Sequence, residues 1–304
     1  MTTEPIQTRC GYVVLAGRPN AGKSTLLNSI LGEKLQIVSP TPQTTRNRVL
    51  AVHIRGAHQL VFIDTPGIHE PRSSLGRYMA AAVESAIADA DLCLWLVDAA
   101  ARAAAGGLPD VEAEIGRRLG GTGLAVLALL NKVDLVRPRE RLLPLTAGLA
   151  ALPGVAEVIP ISALDGDGVD RVLDAVESRL PVSPWLYPED MLSDRAERFF
   201  AAELVREALI GLTRDEVPHR SAVVVEHFVE HRDRCEIHAT IHVERRSQRG
   251  ILVGRGGSMI KEIGTRSREA IERRLGCRID LRLHVAVTPD WTRTPAALGE
   301  LGYE

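Results

Sequence analysis

The sequence predicts an α/β domain with a mostly parallel sheet and one antiparallel strand, followed by a smaller α+β domain. Three observations carry that prediction. Apolar runs alternate with amphipathic stretches from residue 11 to residue 180, one pair of runs lies close together around Gly56-Ala57, and Pro181, Pro184 and Pro188 fall within a short segment. Strands joined by helical crossovers lie parallel, whereas a connection too short for a crossover makes a hairpin. Three fixed φ angles without N–H donors read as an extended linker. The expected division is therefore 1–180, a linker over 181–192, and 193–304.

In chain order, Tyr12–Ala16, Val49–Ile54, Gln59–Ile63, Leu92–Val97, Leu124–Leu130 and Val155–Ile161 read as strands. The stretches 23–31, 74–88, 109–119, 139–150 and 168–180 have helical periodicity and supply the crossovers. Past the prolines, Ser193 is the expected N-cap of a helix to about Leu212, with Phe199, Phe200, Leu204 and Leu209 available for burial. Alternating strands Ala222–Val229 and Glu236–Val243 follow. A short helix, a glycine turn, a helix to about Leu275 and a strand Arg278–Val287 complete the order αββααβ.

Composition narrows the function. At 304 residues, 45% hydrophobic and 25% charged, the chain has room for two packed cores and is not a disordered protein. Its longest apolar run, Leu124–Leu130, is far shorter than the roughly 20 residues of a spanning helix. Residues 1–9 lack a secretory layout, and Cys10, Cys93, Cys235 and Cys277 have no metal-like spacing, so the expected setting is the reduced cytoplasm. The net charge of −2 hides a block at 245–282 with 11 basic and 4 acidic side chains, a net of +7. Such a block suits either a polyanion-binding surface or a solvated helix face. His227/His231 and His238/His242 fall in alternating segments and read as strand positions rather than metal ligands, as do Glu226, Glu230 and Glu236 as solvated ones. Trp95 reads as core, Trp185 as linker packing, and 101–107 as a surface loop.

The first strand runs into Gly17-Arg18-Pro19-Asn20-Ala21-Gly22-Lys23-Ser24, which fits GxxxxGK[ST] and is followed by Thr25 on the expected helix. Its glycines let backbone N–H groups turn inward around a β-phosphate, and the helix directs its positive end at the same oxygens. Lys23 would reach the β- and γ-phosphates and the Ser24 hydroxyl would ligate Mg²⁺. Lysine is rare here, four against 33 arginines, and it is kept where a compact ammonium must thread between phosphates.

Asn131-Lys132-Val133-Asp134 follows the fifth strand at its carboxyl end, where ligands bind in such sheets. A carboxylate at Asp134 matches the N1–H and N2–H₂ donors of guanine, and adenine has no such pair. The Lys132 stem can cover the base, Asn131 can tie this loop to the phosphate loop, and Ser162-Ala163 would bring a backbone N–H to guanine O6. Asp64-Thr65-Pro66-Gly67 follows the third strand: Asp64 would hold Mg²⁺ through water and the Gly67 N–H would sense the γ-phosphate. Thr45, in the polar loop 39–47, is the expected threonine that closes on Mg²⁺. Lys23, Thr45 and Gly67 are thus the candidate catalytic positions.

These elements, over 11–180, resemble the TrmE–Era–EngA branch of GTPases. One departure from Ras-like enzymes is Ile68 after DTPG, where a water-orienting glutamine would stand, so slow intrinsic hydrolysis is expected. The resemblance also implies a K⁺ ion held near the phosphates by Asn20. A small-molecule kinase is disfavoured by Asn131–Asp134 and by the lack of an identifiable acceptor site. A scaffold with a merely structural nucleotide domain is disfavoured by the intact Lys23, Ser24, Thr45 and Asp64.

The second signal is Ile251-Leu252-Val253-Gly254-Arg255-Gly256-Gly257-Ser258-Met259-Ile260-Lys261. A GxxG loop between two short helices lets a nucleic-acid backbone approach the main chain and clamps about four nucleotides. Gly254, Arg255, Gly256, Gly257 and Lys261 are the candidate RNA contacts, within the +7 block. The order αββααβ is that of a type II KH domain. A GTPase domain joined to such a domain is similar to the bacterial Era family over nearly the whole chain, including the ending from Trp291 to Tyr303. Departures are Ala21 for the usual valine and Arg255 for the usual lysine. The resemblance implies GTP/GDP and Mg²⁺ as ligands, a monomer, and action on the 3′ region of 16S ribosomal RNA in 30S assembly. Members also associate peripherally with the inner face of the cell membrane, for which the sequence shows no clear amphipathic segment.

Overall fold

A computed structural model describes residues 8–103 and 106–303. The expectations for the N-terminal segment and for Ala104-Ala105 lie, from Met1 to Gln7 and at those two alanines, outside the described residues. The chain forms two compact units. The first holds residues up to Gln36, Thr45–His69 and Met79–Asp194; the second holds Ile37–Thr44, Glu70–Tyr78 and the chain from Arg195 onward.

The strands of the first unit are β1 (Cys10–Gly17), β2 (Val49–Arg55), β3 (His58–Asp64), β4 (Leu92–Asp98), β5 (Ala125–Asn131) and β6 (Val155–Pro160). Its helices are α1 (Lys23–Leu31), α2 (Ser74–Ala88, whose first residues belong to the second unit), α3 (Ala99–Arg102), α4 (Asp110–Gly120), α5 (Leu142–Ala150) and α6 (Val169–Glu177). The sheet order is β2-β3-β1-β4-β5-β6. All neighbours are parallel except β2 and β3, whose hairpin turns at Gly56 with φ 59°. That conformation costs glycine little and most other residues more. Because β1 is flanked by β3 on one side and β4 on the other, the strand order reverses at its carboxyl end. In open sheets of this kind, such a reversal is where ligands bind.

Strands buried on both faces read as unbroken apolar runs. In β4 and β5 almost every residue is sequestered, and Trp95 lies in the core as expected. Two local expectations need correction. Residues 101–107 are not all loop: Asp98 caps α3 by accepting from Ala101 N at 3.0 Å, so Ala101 and Arg102 are helical. The stretch 139–150 begins as a 3-10 turn after Pro138 and becomes α-helical only at Leu142. The segment 181–194 packs within the first unit: Cys10 N donates to Pro181 O, Trp185 Nε1 to Ala57 O, and Gln59 Oε1 accepts from the amides of Leu186 and Tyr187.

The second unit contains α7 (Glu197–Leu212), β7 (Ser221–Glu230), β8 (Arg234–Val243), α8 (Arg246–Val253), α9 (Ser258–Leu275), β9 (Arg278–Val287) and α10 (Pro295–Glu300). Strand β8 is antiparallel to β7 and parallel to β9. Cys235, Ile237, Ile241 and Val243 of β8 share a core with Val205 and Leu209 of α7 and Ile263 and Ile271 of α9. Ser193 does not cap α7. Its hydroxyl donates to Leu50 O at 2.6 Å beside the edge of β2, and the helix starts after Ala196. The end of the chain is anchored by Trp291, fully buried, with Nε1 donating to Arg220 O and its ring stacked on Tyr303.

Candidate functional site

In the first unit the phosphate loop is built by backbone requirements at both ends. Gly17 has φ 139°, and a Cβ there would sit 2.4 Å from Leu96 O on the neighbouring strand. Gly22 has φ 100°, and a Cβ there would meet Asn131 Nδ2 at 2.2 Å. Helix α1 begins directly after Gly22 with no side-chain cap, so its first N–H groups stay available for an anion. Lys23 is buried, with Nζ held by the carbonyls of Gly17 at 3.2 Å and Arg18 at 3.1 Å.

The three oxygen groups expected at the metal come together. Ser24 Oγ lies 2.9 Å from Thr45 Oγ1 and donates to Asp64 Oδ2 at 2.8 Å. The other Asp64 oxygen is buried with no hydrogen-bond partner. Two hydroxyls and a carboxylate with an unsatisfied oxygen form the hard donor set that a divalent cation such as Mg²⁺ prefers. Burial pushes the Asp64 carboxyl up to about 6, against the pull of Lys23 and the Ser24 hydroxyl. Burial lowers the Lys23 ammonium to about 8, against the attraction of Asp64. Both are therefore charged between those values, around neutral pH.

Thr65 Oγ1 donates to Leu15 O at 2.7 Å, which fixes the start of the Asp64–Gly67 turn. Ile68 N donates to Gly17 O at 2.9 Å, and a Cβ on Gly67 would sit 2.5 Å from Pro19 N. Glycine at 67 is thus demanded by close approach to the phosphate loop. The Ile68 side chain packs against the core.

Asn131 joins three loops. Its Nδ2 donates to Ala21 O at 2.8 Å, and its Oδ1 accepts from Ala163 N at 3.0 Å. The tie to the phosphate loop is the one read from sequence. In the Ser162-Ala163 segment, expected to bring a backbone N–H to guanine O6, Ala163 N donates to Asn131 Oδ1 and Ser162 N to Asp167 O. Lys132 has φ 65°, and its Nζ reaches Asn20 O at 2.7 Å and Asp98 Oδ2 at 2.6 Å. That strained residue turns the chain into the 3-10 turn Val133–Leu135, which carries Asp134.

Two residues escape the sequence reading. Asp98 fixes the Lys132 ammonium while capping α3; its signal was a charged residue ending an apolar strand on the ligand side of the sheet. Buried Glu112 accepts from Arg102 Nε at 3.1 Å and lies 4.0 Å from Arg18 of the phosphate loop. Burial raises its pKa in spite of both arginines. Nothing in a helical glutamate announces this role. Asp98→Asn should cost a partly exposed ion pair about 1 kcal/mol, near fivefold in nucleotide affinity. Isothermal titration with GDP checks it, and unchanged affinity would remove Asp98 from the site.

In the second unit, α8 and α9 are joined by Gly254–Gly257. Gly254 (φ 73°), Gly256 (φ 58°) and Gly257 (φ 81°) all have positive φ. A Cβ at Gly254 would lie 2.7 Å from Met259 N, whereas those at Gly256 and Gly257 would meet nothing within 4 Å. The first glycine is therefore structural, and the other two leave the tip open. Arg255 and Gly256 are exposed there, and Lys261 is exposed on the first turn of α9. A groove of about 470 Å³ runs between α9 and β9, with Ile260, Leu281 and Leu283 as apolar lining and Lys261 and Arg268 as cations. Strand β9 is an edge strand of its sheet. An apolar floor with a cationic rim and an open glycine tip suits single-stranded nucleic acid.

Residues 12–132 match the family described as 50S ribosome-binding GTPase, and residues 216–292 match the KH domain family. GTPase Era of Syntrophus aciditrophicus is 45% identical over 300 residues, covering 98% of this chain and 96% of that protein. GTPase Era of Geotalea uraniireducens is 46% identical, covering 98% and 99%. Among solved structures, Era in complex with MgGDPNP and nucleotides 1506–1542 of 16S ribosomal RNA aligns with a TM-score of 0.91 and 38% identity, over 97% of this chain and 99% of that one. A point variant of Aquifex aeolicus Era bound to GDP·AlF4⁻ aligns at 0.90 with 38% identity, over the same shares.

Proposed function

The chain belongs to the Era family of GTPases, and from that premise we propose a GTP-hydrolysing switch that binds the 3′ region of 16S ribosomal RNA and serves rRNA processing and 30S assembly. The observation that carries the reading is the Asn131 carboxamide, which ties the guanine-side loops to the phosphate loop. Base and triphosphate are thereby read by one rigid frame, while the glycine tip of the second unit stays open for RNA.

In this reading Gly17–Thr25 wrap the phosphates and Lys23 neutralises the β- and γ-oxygens. Ser24 and Thr45 would ligate Mg²⁺, with Asp64 holding it through water; when bound, the ion screens charge developing between the β- and γ-phosphates. Gly67 offers its N–H to the γ-phosphate. Asp134 accepts from guanine, with Lys132 lying over the base. Ile68, packed into the core, offers no group to orient water. Water is then positioned by backbone, by a bound cation such as K⁺ near Asn20, or by a partner. In the second unit Gly254–Gly257 clamp RNA, with Arg255 and Lys261 on its phosphates. Cytoplasmic location, a monomeric state and peripheral attachment to the membrane complete the proposal and rest on the family resemblance. Among the described residues no helix is long and apolar enough to cross a membrane.

Single-turnover assays with and without a 3′ 16S rRNA fragment test this. Turnover without RNA should be slow, about 10⁻³–10⁻² s⁻¹. It should rise with the fragment, run faster in potassium than in sodium, and be insensitive to competing ATP. Absent hydrolysis in every arm would favour a scaffold; equal rates in the two salts would remove the K⁺ site.

A further inference from the structure

Residues Ile37–Thr44, just upstream of Thr45, pack within the second unit, and α7 holds them there. Val38 N donates to Glu207 Oε1 at 3.2 Å, and Arg206 Nη2 donates to the main-chain carbonyl of Thr44. Arg206 is 1% exposed and is also paired with Glu203, three residues back on the same helix, through Nε and Nη2. Its remaining nitrogen, Nη1, is buried with no partner. A guanidinium is seldom taken out of water, and when it is, each acceptor it keeps matters. Withdrawal of the Thr44 carbonyl would strip this buried cation of its only described main-chain acceptor. The next residue, Thr45, has its hydroxyl 2.9 Å from Ser24 Oγ in the oxygen cluster of the first unit. One peptide bond therefore has its carbonyl held by α7 and leads into the residue that answers to the γ-phosphate.

We propose that Arg206 is a positioning residue through which the second unit reads the nucleotide: its hold on the Thr44 carbonyl and the closure of Thr45 on the oxygen cluster are two halves of one equilibrium. This rests on the GTP-switch reading above and names the residue that carries the message. GTP, which requires Thr45 in place, strengthens the Arg206 hold. By reciprocity, intact Arg206 raises affinity for GTP and leaves GDP, which makes no use of Thr45, untouched. A purely structural arginine would alter both nucleotides alike or neither.

The test is Glu203→Gln with Arg206→Met, which removes both charges together and keeps the aliphatic bulk, so that no unpaired buried ion is left behind. Affinities for GDP and for a non-hydrolysable GTP analogue are measured with Mg²⁺ on the full chain. GDP affinity should stay within about twofold, and analogue affinity should fall about tenfold, the scale of one hydrogen bond to a charged group. The analogue-induced change in affinity for a 16S 3′ fragment should shrink with it. Single Arg206→Lys, which keeps the pair with Glu203, should recover part of the loss. A folded double variant with the wild-type ratio of analogue to GDP affinity overturns the proposal. Should that variant fail to fold, amide exchange on the wild-type protein decides. Residues 41–47 should exchange about tenfold more slowly with analogue than with GDP, and equal exchange overturns the proposal. Absence of GTP hydrolysis or RNA binding in the wild type would overturn the underlying function instead.

Discussion

Replacing Asp134 with asparagine should weaken GTP binding by about two to three orders of magnitude. Two charge-assisted hydrogen bonds to N1–H and N2–H₂ are lost, and the asparagine NH₂ can be turned against guanine donors; roughly 3–4 kcal/mol converts to that range. Xanthosine nucleotides carry an oxygen in place of N2–H₂, so their affinity should rise as GTP affinity falls. The side chain sits in a short turn whose entry is set by Lys132, pinned to Asn20 and Asp98. The substitution should therefore leave the loop in place and change only what the base meets. Competition titration with GDP and XDP reads both effects. Unchanged GTP affinity would contradict guanine recognition by Asp134 and, with it, the nucleotide assignment.

Arg255→Asp combined with Gly256→Asp should lower affinity for a 16S 3′ fragment at least 100-fold near 0.1 M salt, with GDP affinity unchanged. The basic block falls from +7 to +4, and acidic side chains are set at the tip where RNA phosphates must approach. Folding should survive, because a Cβ at Gly256 meets nothing within 4 Å and aspartate tolerates its φ of 58° better than most residues. Gly254→Ala makes the contrasting control. Its Cβ would press on Met259 N at 2.7 Å, so it should lower the melting temperature of the second unit. Filter binding and thermal melts on both variants separate the two roles. Wild-type RNA affinity in the double-aspartate protein would remove the glycine loop from the interface.

Much of this protein was legible along the chain. The strand before Gly17, the Gly56-Ala57 hairpin and the αββααβ order all depend on periodicity and turn chemistry, which act between residues near in sequence. The structure carries each of them. The nucleotide motifs were equally readable, since each chemistry needs its residue types at short, fixed spacing. Reading failed where a residue's partner is distant. Ser193 has the chemistry of a cap, yet its hydroxyl belongs to Leu50 O, 143 positions away.

Sequence alone settled which chemistries the chain carries: a phosphate loop, a guanine-type loop and a basic glycine tip, each encoded within about a dozen neighbouring residues. Only the folded chain decided which side chains hold those loops in place. Asp98 braces Lys132 and Glu112 lies beside Arg18 across the first unit, and Arg206 holds Thr44 from 162 residues away. The reason is physical. A buried charge is tolerated only where partners converge in three dimensions, and that convergence leaves no periodic trace in the order of residues.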